Sequence, residues 1–230
     1  MYRKECFVFQ KDKPVLAIVR NYMASDFEAL IKVQQESFPP PFPSDLWWKK
    51  EQLASHIEYY PEGAFCVEVN GEVVGSMTGL LIDFDPNHPE HTWEEVTADG
   101  YINTHNPVGK TLYIVDICVK PAFRQLDLGK LLMQSAYERV VHDQLERVLG
   151  GGRMPGYHRH SNRLSPKQYI QKVLDGELRD PVVTFLMRCG RMPVCLVPNY
   201  LEDEESHNYA LLMEWRNPFQ QSKEEGPINW

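Results

Sequence analysis

Residues 112–141, LYIVDICVKPAFRQLDLGKLLMQSAYERVV, constrain this chain more than any other stretch. A β-branched apolar run ends at Val119, and an amphipathic helix starts near Leu128 with Leu128, Leu131, Leu132, Ala136 and Val140 on one stripe. The connection between them carries Pro121, Arg124, Gly129 and Lys130. A strand that feeds a helix through such a turn aims several unpaired backbone N–H groups into one concavity, with the helix dipole behind them. Phosphate oxygens fit that concavity, and the two cations add to it. The same spacing also describes an ordinary strand–turn–helix connection that binds nothing.

Length and composition set the frame. A chain of 230 residues with 43% apolar and 24% charged side chains is expected to form one elaborated domain over 1–219. Irregular insertions are expected at 83–110 and 153–163, and a disordered tail at 220–230. No apolar run approaches the roughly 20 residues that span a bilayer, so no membrane partner is expected. The first residues, MYRKECFVFQKDKP, lack the apolar core and cleavage site of a signal peptide. Five cysteines, with no C-x-x-C spacing, fit reduced thiols in a cytoplasm. The net charge of −8 weighs against a nucleic-acid partner and is compatible with a cationic acceptor.

The local signals alternate. Val15–Arg20 reads as a strand. Ser25-Asp26-Phe27-Glu28 reads as a capping box opening a helix that Pro39-Pro40-Pro41 stops. Ser44 is expected to open a second helix running to Ile57. Runs 64–69 and 73–82 flank Asn70-Gly71, a hairpin signal. After the strand at 111–119 come a helix over 128–147 and a short strand at 147–151. Ser165-Pro166-Lys167-Gln168 caps a further helix, and Val182–Cys189 forms another, ended by Gly190. Strands at 192–197 and 209–215 close the chain. This order predicts an α/β (α+β) fold, a mixed and mostly antiparallel central sheet with helices on both faces.

Val119, Pro121, Arg124, Asp127 and Gly129 resemble the V-x-P-x-x-R-x-x-G-x-G/A cofactor loop of the GNAT superfamily of N-acetyltransferases. Asp127 stands where that family usually has its first glycine. The element order over roughly 15–217 is also similar to GNAT enzymes. Thr92-Trp93 through Gly100, His105-Asn106-Pro107, Gly151–Tyr157 and Pro198-Asn199-Tyr200-Leu201 look like the GNAT modules found in some bacteria beside a carbon–nitrogen hydrolase domain.

The resemblance implies acetyl transfer from acetyl-CoA to a primary amine, on a small molecule or a peptide, by direct attack. It implies a cofactor site of Ile117, Cys118, Val119, Arg124, Gln125, Leu126, Asp127, Leu128, Gly129 and Lys130. Loop amides would hold the pyrophosphate, with Arg124 and Lys130 offsetting Asp127. The strand would splay from 148–151 so that backbone groups of Ile117 and Val119 pair with the pantetheine. An N–H near Val119 would polarise the thioester carbonyl. The family's usual acid, a Tyr four residues before the Gly at a helix end, is replaced by Leu186. Tyr157 and Tyr200 are candidate substitutes. A homodimer through sheet extension or C-terminal strand exchange fits the fold.

The remaining candidates rest on the residues themselves. A protonated amine must lose a proton before it attacks. Asp116 is the one carboxylate of the cofactor strand. Alternation groups it with Ile114 and Cys118, where its pKa should rise; a structural Asp held by backbone N–H groups is the other reading, and the residues alone lean slightly toward it. His105, in the long insertion, is a second candidate base. Arg153 could hold an anionic group or a neighbouring carboxylate. His88, His91, His105, His158 and His160 lack zinc-site spacing, so no metal is expected. Two other readings remain open: a non-catalytic acyl-CoA-binding regulatory module and a metal-dependent hydrolase.

Overall fold

The computed structural model describes residues 1–220. The expected tail therefore lies, but for its first residue, outside the described residues. In chain order the elements are β1 (Arg3–Gln10), β2 (Lys13–Asn21), α1 (Phe27–Ser37), α2 (Lys50–Tyr59), β3 (Ala64–Val69), β4 (Glu72–Ile82) and α3 (Trp93–Thr97). There follow β5 (Thr111–Val119), α4 (Leu128–His142), β6 (Arg147–Arg153), α5 (Pro166–Leu174), α6 (Pro181–Arg188), β7 (Met192–Val197) and β8 (Ala210–Arg216).

The strands form one eight-stranded sheet in the order β1-β2-β3-β4-β5-β6-β8-β7. Each neighbouring pair is antiparallel except β5–β6. That is the mixed, mostly antiparallel sheet the element order predicts. Cross-strand register sorts the helices to two faces. Thr78 pairs with Asp116, and Met77 with Ile117. The first pair faces α1 and α2: Gln34 of α1 bonds Asp116 at 2.9 Å, and Tyr22 bridges Thr78 to His56 of α2. Ile117, on the other face, packs against the cluster that holds Met133 of α4 and Val183 and Leu186 of α6.

Several local expectations are corrected. The N-terminal residues form β1, an edge strand paired with β2 along its whole length. Its outward Phe7 and Phe9 are exposed, so the apolar alternation that marks a buried strand is blurred. The helix at α1 does not use the Ser25/Glu28 box. A 3-10 turn at Ala24–Asp26 leads into it, and the Asp26 carboxylate accepts from the Met23 N–H and from Arg20. Glu28 instead pairs with Lys50. Ser44 opens only a 3-10 turn ending at Leu46; Trp47 is extended, and α2 begins at Lys50. Helix α4 stops at His142 because Gln144 adopts a left-handed φ of 56° and turns the chain toward β6. The Asn70-Gly71 turn and the Ser165/Gln168 capping box form as read.

The 83–110 stretch is ordered around α3, whose Thr92 caps the helix in a box with Glu95. Its Trp93 indole donates to the Val115 carbonyl at 3.1 Å. The β4–β5 register shifts between Thr78 and Gly79, leaving Val115 as a bulge. The bulge moves Ile114 onto the face opposite Asp116, correcting the simple alternation that grouped them. It also frees the carbonyl that Trp93 satisfies.

Candidate active site

The bulge marks the place where the sheet opens. β5 and β6 pair through Thr111, Leu112 and Tyr113 against Arg147, Val148 and Leu149. Beyond Tyr113 and Leu149 no further pair forms between them, and a cleft of about 1220 Å³ runs through the gap. Gly151 sits on the β6 side of the opening. A Cβ there would lie 2.4 Å from the Tyr200 ring, so only glycine lets that phenol lie flat over the strand.

On the α4/α6 face the cleft wall combines the backbone of the turn into α4 with α6 side chains such as Val182, Phe185 and Leu186. A 3-10 turn at Pro121–Leu126 delivers the chain to Asp127, which caps α4 in the left-handed conformation (φ 55°, ψ 21°) and makes no side-chain cap bond. Asp tolerates that conformation better than most residues, and glycine takes it without cost. The family glycine and this Asp are thus two solutions to one backbone requirement. The first N–H groups of α4 have no partners within the helix and open on the cleft. At Gly129 a Cβ would come within 3.1 Å of the Phe185 ring of α6, which would have to give by a few tenths of an ångström. Arg124 donates to the Val119 carbonyl at 3.2 Å and to the Ser37 carbonyl at 3.0 Å, tying the loop to the end of α1.

Of the ten residues expected to hold the cofactor, Ile117, Cys118, Val119, Arg124, Asp127, Gly129 and Lys130 line the cleft. Gln125 is exposed beside it, and Leu126 and Leu128 are buried anchors of the loop. Burial pushes the Cys118 thiol far above its ordinary range, and it sits 3.4 Å from Ser76 Oγ. It contributes shape and backbone, not a nucleophile.

On the α1 face the wall is built from side chains. Burial pushes the Asp116 carboxyl up to about 6, against the pull of Gln34, Cys118, the Ile117 N–H and Trp48. Two buried polar atoms beside it, Ser37 Oγ and Trp48 Nε1, lie toward Cys118 and Asp116 but make no hydrogen bond of normal geometry among the described residues. Such atoms cost about 1–3 kcal/mol each when left unsatisfied. Both residues line the cleft, where a polar ligand can satisfy them. Phe38 and Phe42, stacked at 4.9 Å, extend this wall. Arg153 lies 4.7 Å over the Phe42 ring and is held by Asp203 through two bonds of 2.8 and 2.7 Å. Of the two roles open to Arg153, the neighbouring carboxylate is the one seen.

Three expected catalytic side chains are not brought together. Asp116 faces the cleft. His105 accepts from the Leu81 N–H at 3.0 Å and stacks on Tyr60 at 4.6 Å, away from the lining. The Tyr157 hydroxyl donates to the Leu164 carbonyl at 3.1 Å, in the cluster behind α5 and α6. Tyr200 does reach the cleft. Sequence reading missed Gln34, Ser37, Phe42 and Trp48, all from α1 and the connection to α2. Their signal was four aromatic residues, Phe38, Phe42, Trp47 and Trp48, around a proline run. Among the described residues no group of three His, Cys, Asp or Glu side chains could hold a metal ion, and no helix is long and apolar enough to cross a membrane.

Comparison with known proteins places this geometry. Residues 27–155 match the model of the acetyltransferase (GNAT) family. The chain belongs to the GNAT family of acetyltransferases. An uncharacterized N-acetyltransferase, YkwB of Bacillus subtilis (strain 168), is 50% identical over 216 residues, 94% of this chain and 96% of that protein. A probable hydrolase of the same organism, YhcX, is 37% identical over 201 residues, 87% of this chain but 38% of that protein. Among solved structures, a GNAT-like decarboxylase, GphF, in complex with isobutyryl-CoA shares the fold at a TM-score of 0.73 and 23% identity, covering 86% of this chain and 98% of that one. As a GNAT enzyme this protein is an acetyl-CoA-dependent N-acetyltransferase. The open terminus of α4 and its left-handed cap leave backbone N–H groups beside the cleft.

Proposed function

We propose that the cleft holds acetyl-CoA on its α4/α6 side and a primary amine, of a small molecule or a peptide, on its α1 side. The pyrophosphate lies on the backbone of Arg124–Lys130, with Lys130 as the nearby cation, and the pantetheine arm follows Ile117–Val119 in the gap that β6 leaves. Acetyl-CoA, when bound, supplies a thioester carbonyl. The N–H groups at the end of β5 polarise it. The free amine attacks the carbonyl carbon with its electron pair, Asp116 takes a proton from the nitrogen as the C–N bond forms, and the adduct expels the thiolate, to which that proton passes.

The observation that carries this reading is the placement of Asp116. It is a carboxyl with a pKa near 6, at the edge of an opening that connects a backbone phosphate cradle to a side-chain-lined pocket. A base poised near neutrality is what amine acetylation needs. His105 and Tyr157 are engaged elsewhere and take no part in this scheme.

The test is release of free thiol from acetyl-CoA across a panel of primary amines. Amine-dependent release that falls sharply in Asp116→Asn, with thermal stabilisation by coenzyme A retained, is the expected result. Binding of acetyl-CoA without release across the panel would favour a regulatory acyl-CoA-binding module, the reading that Leu186 at the usual acid position suggests. Absence of any acyl-CoA binding would contradict the scheme at its root.

A further inference from the structure

An alkylammonium acceptor must lose two protons in each turnover: one before attack, and a second from the tetrahedral adduct. One ends on the sulfur of coenzyme A. The other must reach solvent. Asp116 is enclosed by Gln34, Trp48 and Cys118. That setting suits a group that holds a proton and returns it to sulfur.

A second hydrogen-bonded path starts on the same face. The Tyr200 ring, 3% exposed, lines the cleft over Gly151. Its hydroxyl is 2.7 Å from that of Tyr113, which is fully buried on β5. The Tyr113 hydroxyl is 2.8 Å from Nε2 of His91, and Nδ1 of that half-buried ring is 2.8 Å from the Pro89 carbonyl. A carbonyl only accepts, so Nδ1 carries the hydrogen and Nε2 of the neutral ring accepts. This fixes the polarity of the chain. Tyr113 donates to His91, Tyr200 donates to Tyr113, and the Tyr200 oxygen accepts from the Gly151 N–H with its second lone pair left over.

We infer that Tyr200, Tyr113 and His91 form a proton outlet that carries the ammonium proton of the acceptor from the cleft to solvent. The inference rests on the acetyl-transfer reading above. As the N–H bond of the ammonium breaks, its proton goes to the Tyr200 oxygen, that of Tyr200 to Tyr113, and that of Tyr113 to His91 Nε2. The nitrogen keeps the electron pair and becomes the nucleophile. The His91 imidazolium then loses its Nδ1 proton to water, the ring turns over to bring its bare nitrogen back to Tyr113, and the hydroxyls rotate back.

The surroundings agree. Burial holds His91 below the ordinary histidine value, so the ring is neutral and able to accept, while the Pro89 carbonyl and Glu95 of α3 favour the imidazolium that forms. Burial raises both phenols, Tyr200 to about 12, so neither ionises alone; Arg191 favours the phenolate form of each. The two tyrosines therefore pass a proton in concert.

The experiment uses Tyr113→Phe and His91→Gln in the full chain, each assayed with acetyl-CoA and two acceptors. One is a strongly basic alkylamine, charged at neutral pH. The other is a weakly basic amine such as an aniline, already neutral and with only one proton to lose. The expected result is a fall of about 10²-fold in kcat/KM with the alkylamine and less than about threefold with the neutral amine, coenzyme A still stabilising both variants. Equal losses with both acceptors would assign the chain a merely structural role and overturn the outlet. Unchanged rates with the alkylamine would overturn it too. If Tyr113→Phe does not fold, His91→Gln, which alters a half-buried side chain, carries the test. A wild-type protein that releases no thiol with any amine would instead remove the acetyl-transfer reading, and the outlet with it.

Discussion

The two walls of the cleft are built by different means. The cradle on the α4/α6 side comes from one continuous stretch, the end of β5, a turn and the start of α4, which offers backbone N–H groups, with α6 side chains such as Val182, Phe185 and Leu186 beside it. The α1 wall gathers Gln34, Ser37, Trp48, Asp116 and Tyr200 from separate parts of the chain, and it offers side chains. A backbone wall tolerates substitution as long as its dihedrals survive, which is why Asp127 can replace a glycine. A side-chain wall has no such tolerance, because each atom is supplied by one residue. The difference predicts that single substitutions on the α1 side will cost catalysis, while those on the α4 side will shift affinity modestly.

Asp116→Asn should show the largest effect. Thiol release with an alkylamine is expected to fall about 10²–10³-fold, with little change in coenzyme A binding by thermal shift. The wild-type rate should also decline as pH falls through about 6, where the carboxyl takes up its proton, and this limb should vanish from any residual activity of the variant.

The same residue should stand out in stability. Its carboxyl is raised from 3.8 to about 6 on folding, so the folded state binds the proton more tightly and loses stability as pH rises between those values. Asp116→Asn should therefore match the wild type near pH 4. It should exceed it by about 2–3 kcal/mol at pH 7 and above, read from urea midpoints at the two pH values.

Gly151→Ala comes next. The new Cβ would meet the Tyr200 ring at 2.4 Å, a clash that must move the phenol or the strand. A loss of about 1–3 kcal/mol in unfolding free energy is expected, together with loss of transfer, while coenzyme A still binds the other wall. If coenzyme A binding fails as well, the two walls are not independent.

The smallest effect should belong to Asp127→Gly. It relieves a left-handed non-glycine residue and removes a carboxylate beside the phosphate cradle. A gain of about 0.5–1 kcal/mol in stability and coenzyme A affinity tighter by a few fold are expected, measured by urea unfolding and calorimetry. Weaker binding would mean that the Asp127 side chain itself contributes to the cradle.

This contrast also explains what was legible in the sequence. The cofactor wall is local, so its signal, an apolar strand, a turn with Pro121 and Gly129, and a stripe beginning at Leu128, lies within thirty residues. The splay of β5 from β6 followed from family likeness and is present. The acceptor wall depends on which separate segments the sheet brings together. Nothing in the neighbourhood of Trp48 or His91 states that one meets Asp116 and the other Tyr113. The bulge at Val115 was equally hidden, since a single added residue leaves no mark on an apolar run, yet it decides which face Ile114 occupies. β1 was missed because an edge strand with exposed phenylalanines lacks a clean alternation.

A structure with acetyl-CoA bound tests the two-wall account most directly. The account predicts pyrophosphate oxygens about 3 Å from backbone N–H groups at the Arg124–Lys130 turn. It also predicts the pantetheine alongside Ile117–Val119, and the thioester at the β5–β6 opening with Asp116 and the Tyr200 hydroxyl facing it from the α1 side. A pyrophosphate held elsewhere in the cleft by side chains such as Arg159 and Arg179, with the α4 terminus left empty, would contradict it.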